Sequence, residues 1–533
     1  MKKIDELKRV LNFYVASNIL KTRVYDEVNN YTISDNLYGA ISLAIAMDSE
    51  FKESYNVSRV IKMMVLDEFS KNNPNFDIEN SLTKGKELQE LVNEARRLET
   101  NDAKLAFKYR MMDFVLTNLI YVRGSNLIES KVIEEAIKSF NPKNHEEYNK
   151  YKEVVKYYVA NSRLKDKDRS GWNKEHWNIK SDRIERIAEH IVSTILLSIA
   201  MESEIDYNEE LAFDRKINLD EIIKMLSIHE LGETIIGDIT PFDGITPEQK
   251  AKIEYKAVQN LLGNLTEKTE LLELFSLFES KFSNEARFAY CCDIIEADLQ
   301  SKYYQDTYQH RSLNDQETNK VINLDITKKL IEEGAKTPFD IWYGYDKKIY
   351  EKYPEFQEFK DMLDILKNNS LINIKNNPIV EKQELTEEEY KFITTELANL
   401  LKCTLYDGDI ESILLVSSTS DEHTKGSIVI DFVLSDYTGY EKTQKLIERL
   451  NQKFKEINFT DIDVTFAYHR ISHYRDENLN FKDILKVSKI LLDKTGRLSR
   501  IQKEEQLIEK ENNLEILEYI PPIEEEISRN MKK

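Results

Sequence analysis

Five ionisable side chains in the middle of the chain fall on the apolar faces of segments with helical spacing. They are His190, His229, Glu230, Glu233 and Asp293. Each follows residues of its own helical face by three, four or seven positions, so it should point with them into the interior. Burying an ionisable group is costly unless it is paired or bound to a metal. Two histidines and several carboxylates turned inward from three helices therefore favour a divalent metal with nitrogen and oxygen ligands.

Each of these residues alone also has a purely structural explanation. A histidine such as His190 can be a core residue with a hydrogen-bond partner, and a carboxylate can belong to a salt bridge within a helix. For a single histidine that explanation is the better one. The set taken together favours the metal.

The metal hypothesis requires three helices that meet. Apolar residues recur at i, i+3, i+4 and i+7 over 184–199 and over 219–226, and a third such face begins at Ala286. These spacings predict helices that carry the two histidines and the last aspartate. The chain has only 14 glycines and 9 prolines among 533 residues, which is typical of a protein with few turns and many long helices.

The order of these residues resembles the signature of a known family. His190, then His229-Glu230 thirty-nine residues on, then Asp293 a further sixty-four, is similar to the H…HD…D pattern of HD-domain phosphohydrolases. The surrounding motifs resemble those of the bacterial 5′-deoxynucleotidase-like members: SRLK at 162–165 with RSGW at 169–172, ERIAEH at 185–190, HELGE at 229–233 with GD at 237–238, and DIIEADLQ at 293–300. The resemblance covers about residues 157–302 and implies an all-helical HD fold.

The resemblance also implies a metal centre. The ligands of one divalent ion (Mn, Co, Mg, Ni or Fe) would be His190, His229, Glu230 and Asp293. Glu233 would orient or deprotonate the attacking water, because a metal lowers the pKa of bound water and a nearby carboxylate can take its proton. Glu230 stands where the signature has aspartate, and its extra methylene displaces the carboxylate.

The substrate site implied by the resemblance consists of Arg163, Lys165, Arg169, Trp172 and Asp238. The three basic residues would hold phosphate, since arginine matches phosphate oxygens in bidentate geometry. Asp238 would contact the sugar side. Trp172 lies two positions further from Arg169 than in the strictest deoxynucleotidase members, so a preference for deoxyribose does not follow.

Four short segments occur twice, in the same order. The matched pairs are FYVASNILK (13–21) with YYVANSRLK (157–165), LAIAMDSE (43–50) with LSIAMESE (197–204), VIKMMVLDE (60–68) with IIKMLSIHE (222–230), and MMDFVLTNL (111–119) with CCDIIEADL (291–299). The offset grows steadily from 144 to 180, as it would if the second copy had longer loops. Chance similarity between helices rich in isoleucine and lysine is the alternative, but four ordered matches favour a duplication.

The first copy lacks most of the site chemistry of the second. Asn36 replaces the first histidine, Asp67 replaces the second, and Asp113 alone persists among the ligands. This pattern indicates a degenerate HD domain that keeps its helices and has lost its site. Because many HD domains are homodimers, the two copies are predicted to pack as an internal pseudo-dimer.

The whole chain is therefore predicted to be mainly α, with four parts. They are a degenerate HD-like repeat at 1–144, an HD-type metal phosphohydrolase domain at 145–375, a small α+β domain at 380–480 and a charged, solvated helical tail at 481–533. The boundaries near Pro142 and Pro378 fall where polar residues and proline cluster.

The sequence of the third part, residues 380–480, predicts a mixture of helices and strands. Helices are expected at 386–402 and 440–457, and strands at 412–416, 427–434 and 463–468. This order faintly resembles the nucleotidyltransferase-like fold, but Asp431 stands alone on the second strand where that family has two aspartates, so an active transferase is disfavoured. His469 and His473, four apart, could form a metal pair, although a solvent-facing helix or loop is the simpler expectation.

Composition limits the partners. The net charge of −21 argues against long nucleic acid and against anionic membranes. Three cysteines without a paired framework indicate a reduced, cytosolic protein. The N-terminus lacks the apolar core of a signal peptide, and no apolar run approaches the roughly 18 residues of a spanning helix. We therefore expect a cytoplasmic protein whose partner is a small phosphorylated substrate such as a nucleotide.

Three functions remain open at this point. The main hypothesis is a divalent-metal-dependent phosphohydrolase that acts on a nucleotide or similar small phosphate ester. The alternative from another class is a nucleotide-binding regulatory protein in which Glu230 has weakened catalysis. A third is a metal oxygenase with two irons, for which the sequence offers only one obvious ligand set.

Overall fold

The computed structural model describes most of the chain between Lys2 and Lys503. The described residues are 2–26, 30–52, 55–121, 130–173, 176–180, 183–205, 217–239, 244–316, 320–353, 357–367, 369–372, 410–416, 427–434, 463–470, 485, 489–493 and 495–503. They belong to two compact units, Met1–Lys382 and Gln383–Lys533.

The first unit is built almost entirely from helices. Its α-helices are α1 (Lys2–Ser17), α2 (Ile19–Thr22), α3 (Ile33–Phe51), α4 (Val57–Asn72), α5 (Ile78–Ser81), α6 (Gly85–Arg97), α7 (Asn101–Tyr121), α8 (Ser130–Ser139), α9 (His145–Asn161), α10 (Ile187–Ser203), α11 (Leu219–Ile228), α12 (Glu233–Ile236), α13 (Pro247–Leu262), α14 (Lys268–Ser280), α15 (Asn284–Asp306), α16 (Asp325–Glu332), α17 (Pro338–Lys352) and α18 (Gln357–Leu366). Short 3₁₀ helices lie at Ser162–Asp166, Ser170–Trp172 and Leu313–Gln316, and an antiparallel pair, β1 (Val24–Asp26) and β2 (Tyr31–Thr32), precedes α3. The prediction of a mainly helical chain is confirmed.

The helices that carry the predicted site begin at side-chain caps. Asn218 accepts a hydrogen bond from the backbone N–H of Asp220 at the start of α11, and Ser283 accepts one from Ala286 at the start of α15. At α10, the side chain of Glu189 accepts from the backbone N–H of Arg186 (2.8 Å). Such caps satisfy backbone donors that have no partner within the helix. Every residue of α10 is buried, so this helix lies at the centre of the unit.

The matched sequence segments lie on matched helices. The pairs are α1 and α9, α3 and α10, α4 and α11, and α7 and α15. The first helix of each set packs on the other set, because α9 contacts α3 while α1 contacts α10. The two central helices α3 and α10 also contact each other. This reciprocal packing buries nearly the whole of α3 and all of α10.

The segment around His229 is not one continuous helix. α11 ends at Ile228, and residues 229–232 form turns with hydrogen bonds between residues three apart, such as Glu233 N to Glu230 O (3.1 Å). Turns of this type have about three residues each rather than 3.6. The helix predicted to carry both His229 and Glu233 is therefore interrupted between them, although both side chains are buried.

The second unit contains a four-stranded sheet among its described residues. The strands are β3 (Ile410–Val416), β4 (Ser427–Leu434), β5 (Asp463–Arg470) and β6 (Lys489–Asp493), in the order β5-β4-β3-β6. β4 and β5 are parallel, while the other two pairs are antiparallel. The three predicted strands are confirmed. His469 lies in β5, so the expectation of a helix or loop there is wrong, and the predicted helices at 386–402 and 440–457 and His473 lie outside the described residues.

The beginning of the predicted helical tail belongs to this sheet. Lys489–Asp493 pairs with β3 as its outer neighbour, and the side chains of Leu485, Leu498 and Ile501 are buried against Leu414 and Val433. The expectation of a solvated helical tail from residue 481 is therefore wrong for this part. Its physical reason is the short apolar run of Ile490, Leu491 and Leu492, which suits a strand at the edge of a sheet.

The predicted boundaries can be compared with the two units. The division between the units, at Lys382 and Gln383, lies close to the boundary predicted near Pro378. The boundary predicted at residue 144 lies inside the first unit, where α9 packs against α3. Within the described residues, every helix is too short or too polar to cross a membrane.

Gly39 on α3 should not tolerate a side chain. A Cβ atom there would lie 1.6 Å from Oδ1 of Asp113, an atom that also accepts hydrogen bonds from Lys165 (2.5 Å) and Tyr158 (2.6 Å). Alanine favours a helix over glycine by about 1 kcal/mol, but overpacking a core typically costs about 1–3 kcal/mol. We expect Gly39→Ala to lower the free energy of unfolding in urea, because it displaces a buried ion pair. An unchanged or higher unfolding midpoint would contradict this packing.

Candidate functional site

Four predicted ligands come together where α10, α11 and α15 meet. Each of His190, His229, Glu230 and Asp293 offers one nitrogen or oxygen atom, and these four atoms all lie within 4.8 Å of one another. His190 Nε2 is 2.9 Å from Asp293 Oδ1 and 3.7 Å from Glu230 Oε1, and His229 Nε2 is 3.8 and 3.7 Å from the same two oxygens. The set is compact enough to surround one ion.

Both histidines present Nε2 to this centre because Nδ1 is already engaged. His229 Nδ1 is 2.8 Å from the carbonyl oxygen of Leu226, which can only accept, so Nδ1 carries the proton. His190 Nδ1 is 2.6 Å from Oε2 of Glu296. A hydrogen bond at the far nitrogen is the usual way in which proteins orient a metal-binding histidine. Glu296 is a functional residue that sequence reasoning missed, although it lies within the recognised DIIEADLQ motif.

The donor set fits a divalent metal. In the described part of the chain, no hydrogen-bond partner lies near the buried Nε2 of His229. A buried polar atom without a partner costs free energy, and a metal ion would satisfy it. Burial alone would raise the pKa of Asp293, but the hydrogen bond from His190 and the nearby positive charges lower it below its usual range. Two imidazole nitrogens and two ionised carboxylates suit a transition metal or Mg²⁺.

A second cluster of possible ligands does not fit a metal. It consists of Glu185, His190 and Glu296. The ammonium of Lys21 lies 2.5 Å from one oxygen of each of these two carboxylates, so the cluster already holds a cation. This arrangement disfavours the oxygenase hypothesis, which requires two metal ions.

The four-residue centre opens on a cavity of about 520 Å³. Its wall includes His229, Glu230 and Asp293 of the centre, as well as all three tryptophans of the chain. The rings of Trp172 and Trp342 are stacked with their centroids 4.7 Å apart. The cavity thus combines a charged wall with an aromatic one, which is the usual composition of a site for a small organic ligand.

Three of the five predicted substrate residues line this cavity. Arg169 is there with its Nη1 3.0 Å from Glu230 Oε1, and so are Trp172 and Asp238. Asp238 also accepts a hydrogen bond from the backbone N–H of Ser170 (2.6 Å), which fixes the loop that follows Arg169.

The other two predicted substrate residues lie elsewhere. Lys165 is only 1% exposed and its ammonium bonds to Asp113, so it cannot reach a ligand in the cavity. Arg163 is exposed, and it too is absent from the described lining of the cavity. We therefore leave both out of the phosphate site. The spacing of the motif could not reveal this, because the chain turns through a 3₁₀ helix between Ser162 and Asp166.

Glu233 is a carboxylate of this cavity whose pKa is raised by burial, as are those of Asp346 and Glu254. It is buried, and its Oε2 lacks a hydrogen-bond partner among the residues that the structure describes. Burial, together with the charges of Asp238 and Glu230, raises the pKa of Glu233 well above its usual range. Lys250, whose Nζ is 3.9 Å from Glu233 Oε1, opposes that effect. A carboxyl whose pKa is raised in this way can accept a proton and hold it.

Two cavity elements were missed by sequence reasoning. Lys250 on α13 brings a second positive charge to the wall beside Arg169. α17 contributes Trp342, Tyr345, Asp346 and Ile349, which follow the i, i+3, i+4, i+7 spacing of one helical face. That spacing was a usable signal, but nothing in it distinguishes a face that packs on the core from one that closes a cavity.

A family model described as the HD domain matches residues 161–334. This segment is an HD domain. This part of the chain is 28% identical over 157 residues to the 5′-deoxynucleotidase HDDC2 of Xenopus laevis. The aligned residues cover 29% of this chain and 71% of that protein. The human 5′-deoxynucleotidase HDDC2 is 29% identical over 145 residues, with 27% and 64% covered, and a 5′-deoxynucleotidase of Schizosaccharomyces pombe is 28% identical over 158 residues, with 28% and 72% covered. The recognition of an HD domain similar to these nucleotidases is confirmed.

The position that corresponds to the HD centre in the first repeat is closed by an arginine. Asn36 Nδ2 is 2.7 Å from Asp113 Oδ2, which parallels the contact of His190 with Asp293. The guanidinium of Arg110 is 4% exposed and bonds to Glu68 and to Asn36 Oδ1. An internal cation therefore lies among these side chains, where the HD domain presents its ligand set.

Metal content should separate the two positions. We expect His190→Ala and Asp293→Ala to lose bound metal, because each removes an atom of the ligand set. Asn36→Ala in the first repeat is the matched control and should keep the metal content of the parent. Elemental analysis of the purified proteins after loading with Mn²⁺ measures this directly. Metal that survives His190→Ala but disappears with Asn36→Ala would assign the site to the wrong repeat.

Proposed function

We propose that the HD domain is a divalent-metal-dependent hydrolase of phosphate esters, whose substrate is a nucleotide or a similar small molecule. The observation that carries the proposal is that His229, Glu230 and Asp293 of the ligand set border one cavity together with Arg169 and Glu233, while His190 completes the set within 4.8 Å. Ligand set, phosphate anchor and proton acceptor are the three parts that such a hydrolysis needs. The similarity to 5′-deoxynucleotidases supports a nucleoside monophosphate as the first substrate to test.

The side chains divide the chemistry among them. A divalent metal at His190, His229, Glu230 and Asp293 would supply a water of lowered pKa and an electrophile for a phosphate oxygen. Glu233 accepts the proton of the attacking water as its oxygen bonds to phosphorus. The ester P–O bond breaks, the leaving oxygen takes up a proton from water, and the alcohol and inorganic phosphate leave. Arg169 and Lys250 hold the phosphate oxygens by charge-assisted hydrogen bonds.

The aromatic wall suits the organic part of the substrate. All three tryptophans border the same cavity, but Trp172 and Trp177 are only 1% exposed, so Trp342, which stacks on Trp172, is the ring that a ligand can contact. Base-on-aromatic stacking stabilises nucleotide binding by about 1–3 kcal/mol per base without strong sequence preference. The proposal therefore includes a nucleobase against this wall, with the sugar near Asp238.

The regulatory alternative has one observation in its favour. Glu230 replaces the aspartate of the family signature, and its Oε1 is shared with Arg169 at 3.0 Å. A carboxylate that binds the metal and also pairs with Arg169 weakens both the binding of the metal and the binding of phosphate. Binding of nucleotide and metal by the parent without release of phosphate would favour this alternative.

The arrangement of the chain forms a further part of the proposal. We infer that residues 1–144 are a degenerate HD repeat and that residues 145–375 are the complete one, packed as an internal pseudo-dimer. The reciprocal contacts of α9 with α3 and of α1 with α10 support this, as does the pairing of the matched segments on corresponding helices. The small α+β domain at 380–480 stays a prediction without an assigned activity.

Glu233→Gln should separate binding from chemistry. Glutamine keeps the size and hydrogen bonding of the side chain and removes its basicity, so metal content should be unchanged. A general base contributes typically about 10²–10⁴-fold to the rate, and we expect kcat for phosphate release to fall by that factor. Glu279→Gln, a carboxylate of the same cavity wall on α14, is the control and should keep most of kcat. Full turnover by Glu233→Gln would exclude it as the base.

Arg169→Ala should weaken substrate binding more than turnover. A hydrogen bond to a charged group contributes about 1.5–3 kcal/mol, which corresponds to an increase in KM of about tenfold or more. Arg163→Ala removes an exposed arginine six residues earlier and should leave KM unchanged. Steady-state kinetics on a nucleoside monophosphate, with metal content measured alongside, distinguishes the two. Equal effects of both substitutions would mean that overall charge, rather than the cavity contact, holds phosphate.

A further inference from the structure

One buried lysine connects the first repeat to the HD domain. Lys21, on α2, places its Nζ 2.5 Å from Oε1 of Glu185, 2.5 Å from Oε1 of Glu296 and 2.9 Å from Oε1 of Gln300. The side chain of Lys21 is 5% exposed, and those of the two glutamates are 2% and 0% exposed. All three partners belong to the HD domain, so this ammonium is supplied from outside the domain whose carboxylates it neutralises.

The second oxygen of each glutamate is bonded to a residue of the functional site. Glu296 Oε2 is 2.6 Å from Nδ1 of the metal ligand His190. Glu185 Oε2 accepts a hydrogen bond from the indole N–H of Trp172 (3.0 Å), which lines the cavity. Two hydrogen bonds thus connect Lys21 to the candidate metal ligand His190 through Glu296. Two others connect it to Trp172 of the aromatic wall through Glu185.

Tyr14 of α1 completes the contact from the first repeat. Its hydroxyl lies 3.0 Å from Glu296 Oε1 and 3.2 Å from Gln300 Oε1. The backbone carbonyl of Lys21 accepts a hydrogen bond from Arg183 Nη1 (2.9 Å), which holds α2 against the loop before α10. The lysine is therefore fixed at both its backbone and its side chain.

We propose that Lys21 is a positioning residue for the metal centre of the HD domain, which acts by holding Glu296 in the orientation that orders His190. Without this ammonium, Glu185 and Glu296 are two buried carboxylates that face each other with no cation between them, and repulsion turns them apart. Glu296 then no longer orients the imidazole of His190. The inference rests on the proposed function only in taking the four-residue set as a metal site.

The other repeat contains a matched lysine without a metal ligand beyond it. Lys165 follows Lys21 by 144 residues in the matched segments, is equally buried, and pairs with Asp113 at 2.5 Å. Tyr158, the counterpart of Tyr14, donates to the same carboxylate at 2.6 Å. On the far side of Asp113 lies Asn36 rather than a histidine. Lys165 therefore shares the burial and charge of Lys21 but not its connection to the site.

The experiment compares Lys21→Met with Lys165→Met in the full chain. Each protein is stripped with a chelator and titrated with Mn²⁺ alone, without nucleotide, and thermal unfolding is recorded in parallel. Loss of an outer partner of a metal ligand typically costs about 10–100-fold in affinity, and we expect that increase in the Mn²⁺ Kd for Lys21→Met only. Both variants should lose thermal stability. A Kd for Lys21→Met equal to that of the parent, or equal losses of affinity in both variants, overturns the proposal.

A second pair of more conservative substitutions tests the proposal if Lys21→Met does not fold. Tyr14→Phe removes only the hydroxyl bonded to Glu296, and Tyr158→Phe removes its counterpart on Asp113. We expect a weaker Mn²⁺ affinity for Tyr14→Phe alone, and identical affinities would overturn the proposal. Because no substrate is present, a parent that binds Mn²⁺ but hydrolyses no ester refutes the proposed function and leaves this result valid, whereas a parent that binds no divalent ion refutes both.

Discussion

Buried carboxylates require a cation, and this requirement organises the helical unit. Lys21 of the first repeat lies between two glutamates of the HD domain, and Lys165, just after α9, pairs with Asp113 of the first repeat. Each repeat therefore neutralises acidic groups inside the other. Removing one partner of a buried ion pair typically costs about 3–5 kcal/mol, so neither half can be separated from the other without leaving such charges unpaired. The helices pack in the same reciprocal way, since α1 contacts α10 and α9 contacts α3.

The two sets of matched helices differ in what lies at their centre. In the first, a guanidinium from Arg110 bonds to Glu68 and Asn36. In the HD domain, His190 and His229 use Nδ1 for hydrogen bonds to Glu296 and to the Leu226 carbonyl. Their Nε2 atoms lie within 3.8 Å of carboxylate oxygens of Glu230 and Asp293. A fixed internal cation stabilises a fold but offers no exchangeable position for water or substrate. An arginine thus lies in the first set of matched helices at the position where the HD domain has its candidate metal site.

Two glutamates three residues apart have opposite properties in the same cavity. The charges of His229 and Arg169 overcome burial and lower the pKa of Glu230, whereas burial and neighbouring carboxylates raise that of Glu233. Environment rather than residue type thus separates the proposed ligand Glu230, which must stay ionised, from the proposed base Glu233, which must be able to gain a proton.

Apolar periodicity and motif order were enough to predict the helices α10, α11 and α15, three strands and the four side chains that meet between those helices, because helical spacing and residue chemistry are local properties. The positions of Lys165 and Arg163 were not predictable, since a 3₁₀ helix redirects the chain by an amount that spacing does not encode. Nor did the sequence identify Lys21, whose partners lie 164 and 275 residues away. Its role exists only where two repeats pack, because desolvation makes a charge pair decisive only after tertiary contacts exclude water.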